Sequence, residues 1–336
     1  MIDYEPSMPL LDVAGLTVSF ATKSGRVMAN DNLDLSVMAG ETVGIVGESG
    51  SGKSVFCRAV LRLVRGEISA RRMTFAGKDI LALSEREMRR LRGPGIAMIF
   101  QSPMSSLDPV WTIGDQIGET LRQHERLDRT DARKGAIALL DRVGIPSAAK
   151  RVDEYPHQWS GGMLQRAVIA LALAGKPRLM LADEPTTALD VTIQDQILSL
   201  LLTLQKETGM ALVLVSHDMG VIAETCDRVA VMYAGRLVET APVKRIFDAP
   251  AHHYTRGLLR SMVSPERAVE RLIPIAGQPP DLTRLGSGCA FAPRCERAEN
   301  ACLDRLVPLK AMGPQHEAAC LFTEPRDVAL PLGVAP

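Results

Sequence analysis

A chain of 336 residues is long enough for two modest domains, or for one large core with an appendage. Its 46% hydrophobic and 23% charged residues are ordinary for a globular protein, and 39 basic residues balance 39 acidic ones. That balance leaves no global field to draw the chain to nucleic acid or to an anionic lipid surface, so no nucleic-acid partner is expected.

The first residues, Met1 to Glu5, lack the basic and apolar regions of a secretory signal. The best apolar runs, at 167–175, 179–182 and 211–215, fall short of the ~18–20 residues of a spanning helix. The expectation is a cytoplasmic chain whose six cysteines are metal ligands or spectators rather than disulfides.

Short alternating runs at 10–14, 16–20 and 33–37 predict antiparallel strands. Thr42 to Val46 predicts a buried strand that runs into Gly47-Glu48-Ser49-Gly50-Ser51-Gly52-Lys53-Ser54. A helix follows, with Val55, Phe56, Ala59, Val60, Leu63 and Val64 on one face, and stops at Gly66. The segment 47–54 fits the phosphate-loop pattern G-x-x-x-x-G-K-S. Its glycines let successive backbone N–H groups turn toward phosphate oxygens, and the helix start adds its positive end. Lys53 would reach the β- and γ-phosphates, and Ser54 would ligate Mg²⁺. A Gly/Ser-rich turn is the bland alternative, but the match lies between a strand and a helix, as the mechanism demands.

Residues 107–166 read as helical and polar, most clearly at 115–124 and 130–143. Leu179 to Ala182 predicts a buried strand ending on Asp183 and Glu184, placed to hold the Mg²⁺ shell and to polarise an attacking water. Adjacent acidic residues are also common on solvated surfaces. A helix over 191–208 closed by Gly209, a strand over 211–215, a helix over 219–226 and a hairpin about Ala234-Gly235 follow. Strands alternating with helices predict a largely parallel α/β sheet. Beyond Ala249 the composition shifts to Pro, Arg and Cys, which predicts a domain boundary there.

Ser160, Gly161 and Gly162 open an apolar helix and form a second anion site of N–H groups and a hydroxyl; alone they amount to an N-cap and a tight turn. Taken together, the phosphate loop, the acidic pair and this segment resemble the ABC ATPases in order and spacing, over roughly residues 10 to 265. Gln101, Ala188-Leu189-Asp190 and His217 complete the set. The resemblance implies an α/β P-loop NTPase of the ABC cassette type over residues 1–250. Its parts would be a RecA-like core, an antiparallel β subdomain and a helical subdomain at about 107–166. It further implies a head-to-tail dimer in which the phosphate loop of one chain faces Ser160, Gly161 and Gly162 of the other across ATP. In that arrangement Gln101 touches Mg²⁺ and the attacking water, and Glu184 acts as base. His217 contacts the γ-phosphate and Asp190 lies at the dimer seam. His217 otherwise reads as a strand-end histidine, and Asp190 as a helix N-cap. The signature departs from the family pattern, reading Trp-Ser-Gly-Gly-Met rather than Leu-Ser-Gly-Gly-Gln. No aromatic stands at the usual adenine-stacking spacing, where Ser24 is found, and Phe20 is the nearest candidate.

The segment Gln101 to Gln116 resembles the coupling segment of oligopeptide-type importers, the surface that meets the permease. Near the other end, Cys289, Cys295, Cys302 and Cys320 are spaced C-x5-C-x6-C-x17-C. Spacing alone leaves an iron–sulfur cluster, zinc and unligated thiols open. The segments Gly288 to Cys295 and His253 to Leu259 resemble the C-terminal domain of oligopeptide, dipeptide and nickel importer ATPases. That likeness implies a small Cys-rich domain at 251–336 whose four cysteines hold a [4Fe–4S] cluster. It implies a second ATPase subunit, two transmembrane permease subunits and an extracytoplasmic substrate-binding protein as partners, at the cytoplasmic face of the inner membrane. Di- and oligopeptides are the implied cargo, with nickel, glutathione or another small solute as alternatives. A non-transport ABC ATPase fits less well, because only 108 positions separate Lys53 from Gly161 and no sustained heptads fill them. Cys57 and Cys226 read as buried small residues.

Overall fold

The computed structural model describes residues 8–23, 25–187, 189–262 and 274–323. The chain divides into two compact units. Of the described residues, one includes those within 38–41 and 79–215; the other includes those within 10–37, 42–78 and 216–323.

In the second unit, Leu11–Thr22 pairs antiparallel with Gly25–Val37, and with Glu67–Ser69 and Arg72–Phe75. The runs that read as separate strands at 10–14 and 16–20 are one bulged strand. Gly15 takes a left-handed φ of 66°, and the register shifts between Val13 and Leu16 and again on either side of Val18. The pairs Leu11–Val37, Val13–Leu35 and Leu16–Leu33 are buried throughout.

The same unit holds a second sheet segment. Thr42–Val46 lies parallel to Arg228–Tyr233, which turns back antiparallel into Arg236–Pro242. Ala234 and Gly235 make that turn at φ 49° and 83°, the double positive φ that suits a tight hairpin. The tail then adds to the sheet. His316–Ala318 pairs with Arg236–Pro242, and Lys310–Gly313 pairs with His316–Ala318. Helix Met219–Thr225 lies close against the strand Thr42–Val46: a Cβ on Gly44 would stand 2.7 Å from Ile222 Cγ2 and 3.0 Å from Cys226 Sγ.

In the first unit, Ile96–Ile99, Leu179–Asp183 and Ala211–Ser216 form a parallel run with Leu179–Asp183 in the middle. Their sequences are near-continuous apolar stretches, as strands covered on both faces require. Helix Val191–Thr208 starts on Asp190, whose carboxylate accepts the Ile193 N–H, and stops at Gly209 with φ 67°. The helical region contains Ile113–Glu125, Arg129–Arg142 and Gly161–Leu173. Thr112 and Asp128 cap the first two by accepting the N–H of Asp115 and Asp131, so both helices begin slightly ahead of the apolar pattern. Among the described residues no helix is long and apolar enough to cross a membrane.

Candidate active site

The phosphate loop leaves the buried end of Thr42–Val46 and enters helix Lys53–Val60. Gly47, Gly50 and Gly52 have φ of 151°, 79° and 99°, a path closed to side chains at Gly47 and Gly52. A Cβ on Gly47 would overlap the Met232 carbonyl, and one on Gly52 would overlap the Ala29 carbonyl. Lys53 is buried, its Nζ donating to the carbonyl oxygens of Gly47 at 2.7 Å and Glu48 at 3.0 Å. Ser51 Oγ is buried with no hydrogen-bond partner among the described residues. An orphaned hydroxyl and a lysine folded onto loop carbonyls make a cradle suited to an oxyanion. Ser49 and Gly50 form its exposed lip, with Ser54 half-buried on the helix.

Asp183 is fully buried at the end of its strand. Glu184 follows in a left-handed conformation, φ 47°, held by its N–H to Val215 O at 3.1 Å. A non-glycine residue at positive φ is uncommon and belongs to sites where the surroundings enforce it. Glu184 Oε2 accepts Gln101 Nε2 at 3.0 Å and Thr187 Oγ1 at 2.8 Å. Thus Gln101 and Glu184, 83 residues apart, meet. Thr187 is a partner that sequence reasoning passed over, although it stands in the Pro185-Thr186-Thr187 string after the acidic pair. His217 is exposed just past the end of Ala211–Ser216, and Asp218 caps the next helix through Gly220 N–H at 2.7 Å.

On the first unit, Ser160 is exposed and caps Gly161–Leu173 by accepting Met163 N–H at 3.4 Å. A Cβ on Gly161 would lie 3.5 Å from Leu189 Cδ2, and one on Gly162 would lie 3.0 Å from Ile193 Cγ2. Ser160, Gly161 and Gly162 therefore adjoin the segment that carries Asp190, an exposed N-cap. Ala188 and Ser24 lie outside the described residues. Phe20 is half-buried, with its ring against Gly66.

The segment from Gln101 presents an exposed apolar surface: Met104 is 52% exposed, Val110 74% and Trp111 52%. Trp111 borders a groove of 620 Å³ with Gly118, Arg122, Arg129, Arg133 and Asp153.

The four tail cysteines line one small cavity of 20 Å³, floored by Phe291, Val307 and Phe322. Each comes from a different piece of backbone. Cys289 N–H donates to Cys302 O at 2.7 Å, Cys295 ends the turn Ala292–Arg294, and Cys302 lies in helix Asn300–Asp304. Cys320 Sγ accepts the Phe322 N–H at 3.4 Å. Burial pushes the thiols of Cys289, Cys295 and Cys320 up. No group of three or more His, Cys, Asp or Glu side chains among the described residues surrounds a single ion site. Beside Cys289, burial lowers His252 to about 4, and its neutral Nδ1 accepts the Tyr254 N–H at 3.0 Å.

Comparison with known proteins gives the same outline. Over residues 30–187 the chain matches the ABC transporter family, and over 238–302 the oligopeptide/dipeptide transporter C-terminal region. A Brucella melitensis protein, provisionally named a peptide import ATP-binding protein, is 50% identical over 327 residues. That alignment covers 93% of this chain and 97% of the relative. The ATP-binding cassette MJ0796, solved as a dimer in a post-hydrolysis state with ADP and Pi, superposes with a TM-score of 0.61 at 28% identity. It covers 69% of this chain and 98% of its own. The protein cbiO1 from Clostridium perfringens, part of the ABC transporter complex cbiONQ, gives a TM-score of 0.61 at 27% identity, covering 71% and 90%.

Proposed function

We propose, from the premise that this chain belongs to the ABC transporter family, that it is the ATP-hydrolysing subunit energising uptake of di- and oligopeptides through a separate permease. The observation that carries the hydrolytic part is the grip of Gln101 and Thr187 on the carboxylate of Glu184, which follows the buried Asp183 in sequence. The peptide part is supported by the match of residues 238–302 to the oligopeptide/dipeptide transporter C-terminal region and by the name of the Brucella relative.

In this reading the loop 47–54 wraps the triphosphate, and Lys53 leaves the Gly47 and Glu48 carbonyls for the phosphate oxygens. Ser54, Asp183 and Gln101 would hold Mg²⁺, which would supply positive charge to the phosphate oxygens; Glu184 would take a proton from the attacking water and His217 would steady the γ-phosphate. Ser160, Gly161, Gly162 and Asp190 serve the site of a second ATPase subunit in a head-to-tail dimer. The exposed signature, flanked by Leu189 and Ile193, and the dimeric MJ0796 cassette support that arrangement. Met104, Val110 and Trp111 receive the permease at the cytoplasmic face of the inner membrane, with two permease subunits and an extracytoplasmic binding protein completing the importer.

Cys289, Cys295, Cys302 and Cys320 are proposed ligands of a [4Fe–4S] cluster within a small C-terminal domain. The lining of one small cavity by all four cysteines, and the match of residues 238–302 to the oligopeptide/dipeptide transporter C-terminal region, support this reading. Such a group supplies one-electron redox chemistry and a covalent staple when bound.

The test pairs Glu184→Gln with peptide uptake. The variant should bind MgATP as the parent does, hydrolyse none of it, and abolish accumulation of labelled di- and tripeptides in cells carrying the importer. Continued turnover would remove Glu184 from the chemistry. Peptide uptake untouched by the variant, with uptake of nickel or glutathione lost instead, would replace the cargo.

A further inference from the structure

Resting on residues 47–54 as the phosphate loop, one residue inside it is tied down at every polar group. Glu48 donates its N–H to Tyr254 Oη at 2.8 Å, and its carbonyl accepts Lys53 Nζ at 3.0 Å and Ser51 N–H at 3.2 Å. Its carboxylate takes a bidentate pair from Arg294, at 2.6 and 3.0 Å. Glu48 occupies one of the positions that the phosphate-loop pattern leaves open, so the pattern says nothing of this use.

Arg294 is itself immobilised. Only 5% of its side chain is exposed, and Nε donates to Ala276 O at 2.9 Å. Nη1 also donates to Tyr233 Oη at 3.2 Å and Nη2 to Ile275 O at 3.4 Å. A planar fork with its donors engaged on both sides holds a carboxylate in one orientation, which a flexible ammonium would not. The fork sits immediately before Cys295, in the turn Ala292–Arg294. Tyr233 and Tyr254, which also touch this network, pack on each other at a centroid distance of 4.5 Å and each on Phe291 at 5.3 Å. A continuous packed path therefore runs from the cysteine-bearing tail to the loop.

We propose that Arg294 is a positioning residue of the nucleotide site. Through Glu48 it fixes the phosphate loop in the form that receives the triphosphate, and it neutralises the one carboxylate within the loop. The tail thereby sets the affinity of the loop for ATP. Without the guanidinium, Glu48 is an unpaired negative charge beside a polyanion, and the loop loses its outer anchor.

The test uses the full chain, with MgATP affinity measured by displacement of a fluorescent nucleotide alongside kcat at saturation. Arg294→Ala should weaken MgATP binding about tenfold, within the coupling range of residues that share one ion-pair network, while kcat at saturating ATP is kept. Arg294→Lys should fall between, because it restores charge without the fork. Glu48→Gln combined with Arg294→Ala should bind better than Arg294→Ala alone. Affinity in Arg294→Ala within about twofold of the parent would overturn the proposal, and so would additive losses in the double variant. Lys53→Ala should lose binding; if it binds as the parent does, the phosphate-loop reading itself fails, a different failure from that of Arg294.

Discussion

Replacing Gly52 with alanine should damage the nucleotide-free chain before any ligand is added. Gly52 sits at φ 99°, and an alanine in left-handed backbone costs roughly 1–2 kcal/mol. The new methyl would also overlap the Ala29 carbonyl oxygen and stand 2.8 Å from Asn30 Nδ2, which now donates to Gly52 O at 3.2 Å. Backbone cannot swing aside like a side-chain tip, and overpacking of this kind costs about 1–3 kcal/mol. The sum is about 2–5 kcal/mol, part of which the chain would relieve by displacing the loop from the cradle. Gly77→Ala is the matched control. Gly77 has φ 76° and open space where a Cβ would stand, so it carries the dihedral cost alone. Thermal unfolding without nucleotide should place Gly52→Ala clearly below Gly77→Ala. Nucleotide titration should show a loss of MgATP affinity only in Gly52→Ala. Equal melting of the two variants, or full MgATP affinity in Gly52→Ala, would refute the reasoning that backbone contact with Ala29 enforces this glycine.

Gln101→Ala should lower kcat about tenfold with little change in the KM for ATP, as steady-state kinetics would show, because it frees one side of the Glu184 carboxylate. Gly288→Ala would drive a methyl into the Cys302 and Leu303 carbonyls, so if the four cysteines hold the proposed cluster, iron per chain after anaerobic purification should fall. The Cys226 thiol is pushed up to about 12 by burial. The folded state therefore keeps a proton that the unfolded chain releases, and the associated stability is intact below the ordinary thiol range and falls as pH rises from about 9 toward 12. Melting curves across that window should fall more steeply for the parent than for Cys226→Ala, and Cys226 should resist alkylation at pH 8 until denaturant is added.

Local signals were legible wherever one short stretch carried the whole physical reason. The phosphate loop, the buried strand ending on Asp183, Gly209 as a helix stop and the Ala234-Gly235 hairpin each needed only neighbours in sequence. The first strand was misdivided because a bulge at Gly15 shifts which residues face the core, and a period-two reading takes that shift for a break. The strands Lys310–Gly313 and His316–Ala318 escaped for another reason. These strands of four and three residues are stabilised by pairing, His316–Ala318 with Arg236–Pro242 and Lys310–Gly313 with His316–Ala318, rather than by their own pattern. The bond from Arg294 to Glu48 spans 246 positions, and no periodicity encodes it. Only the arginine directly before Cys295 offered a hint, and spacing rules for metal sites gave it no meaning.

The pairing of His316–Ala318 with Arg236–Pro242 bears on how the chain can be shortened. Without the tail, Arg236–Pro242 would lose its outer neighbour and present a row of free N–H and C=O groups on a strand whose side chains are mostly buried. Such an edge is a template for other chains, so a cassette trimmed near residue 250 should tend to self-associate. In the intact chain the outermost strand, Lys310–Gly313, is short, carries an exposed lysine and is broken in register at Ala311, features that discourage a further strand from joining.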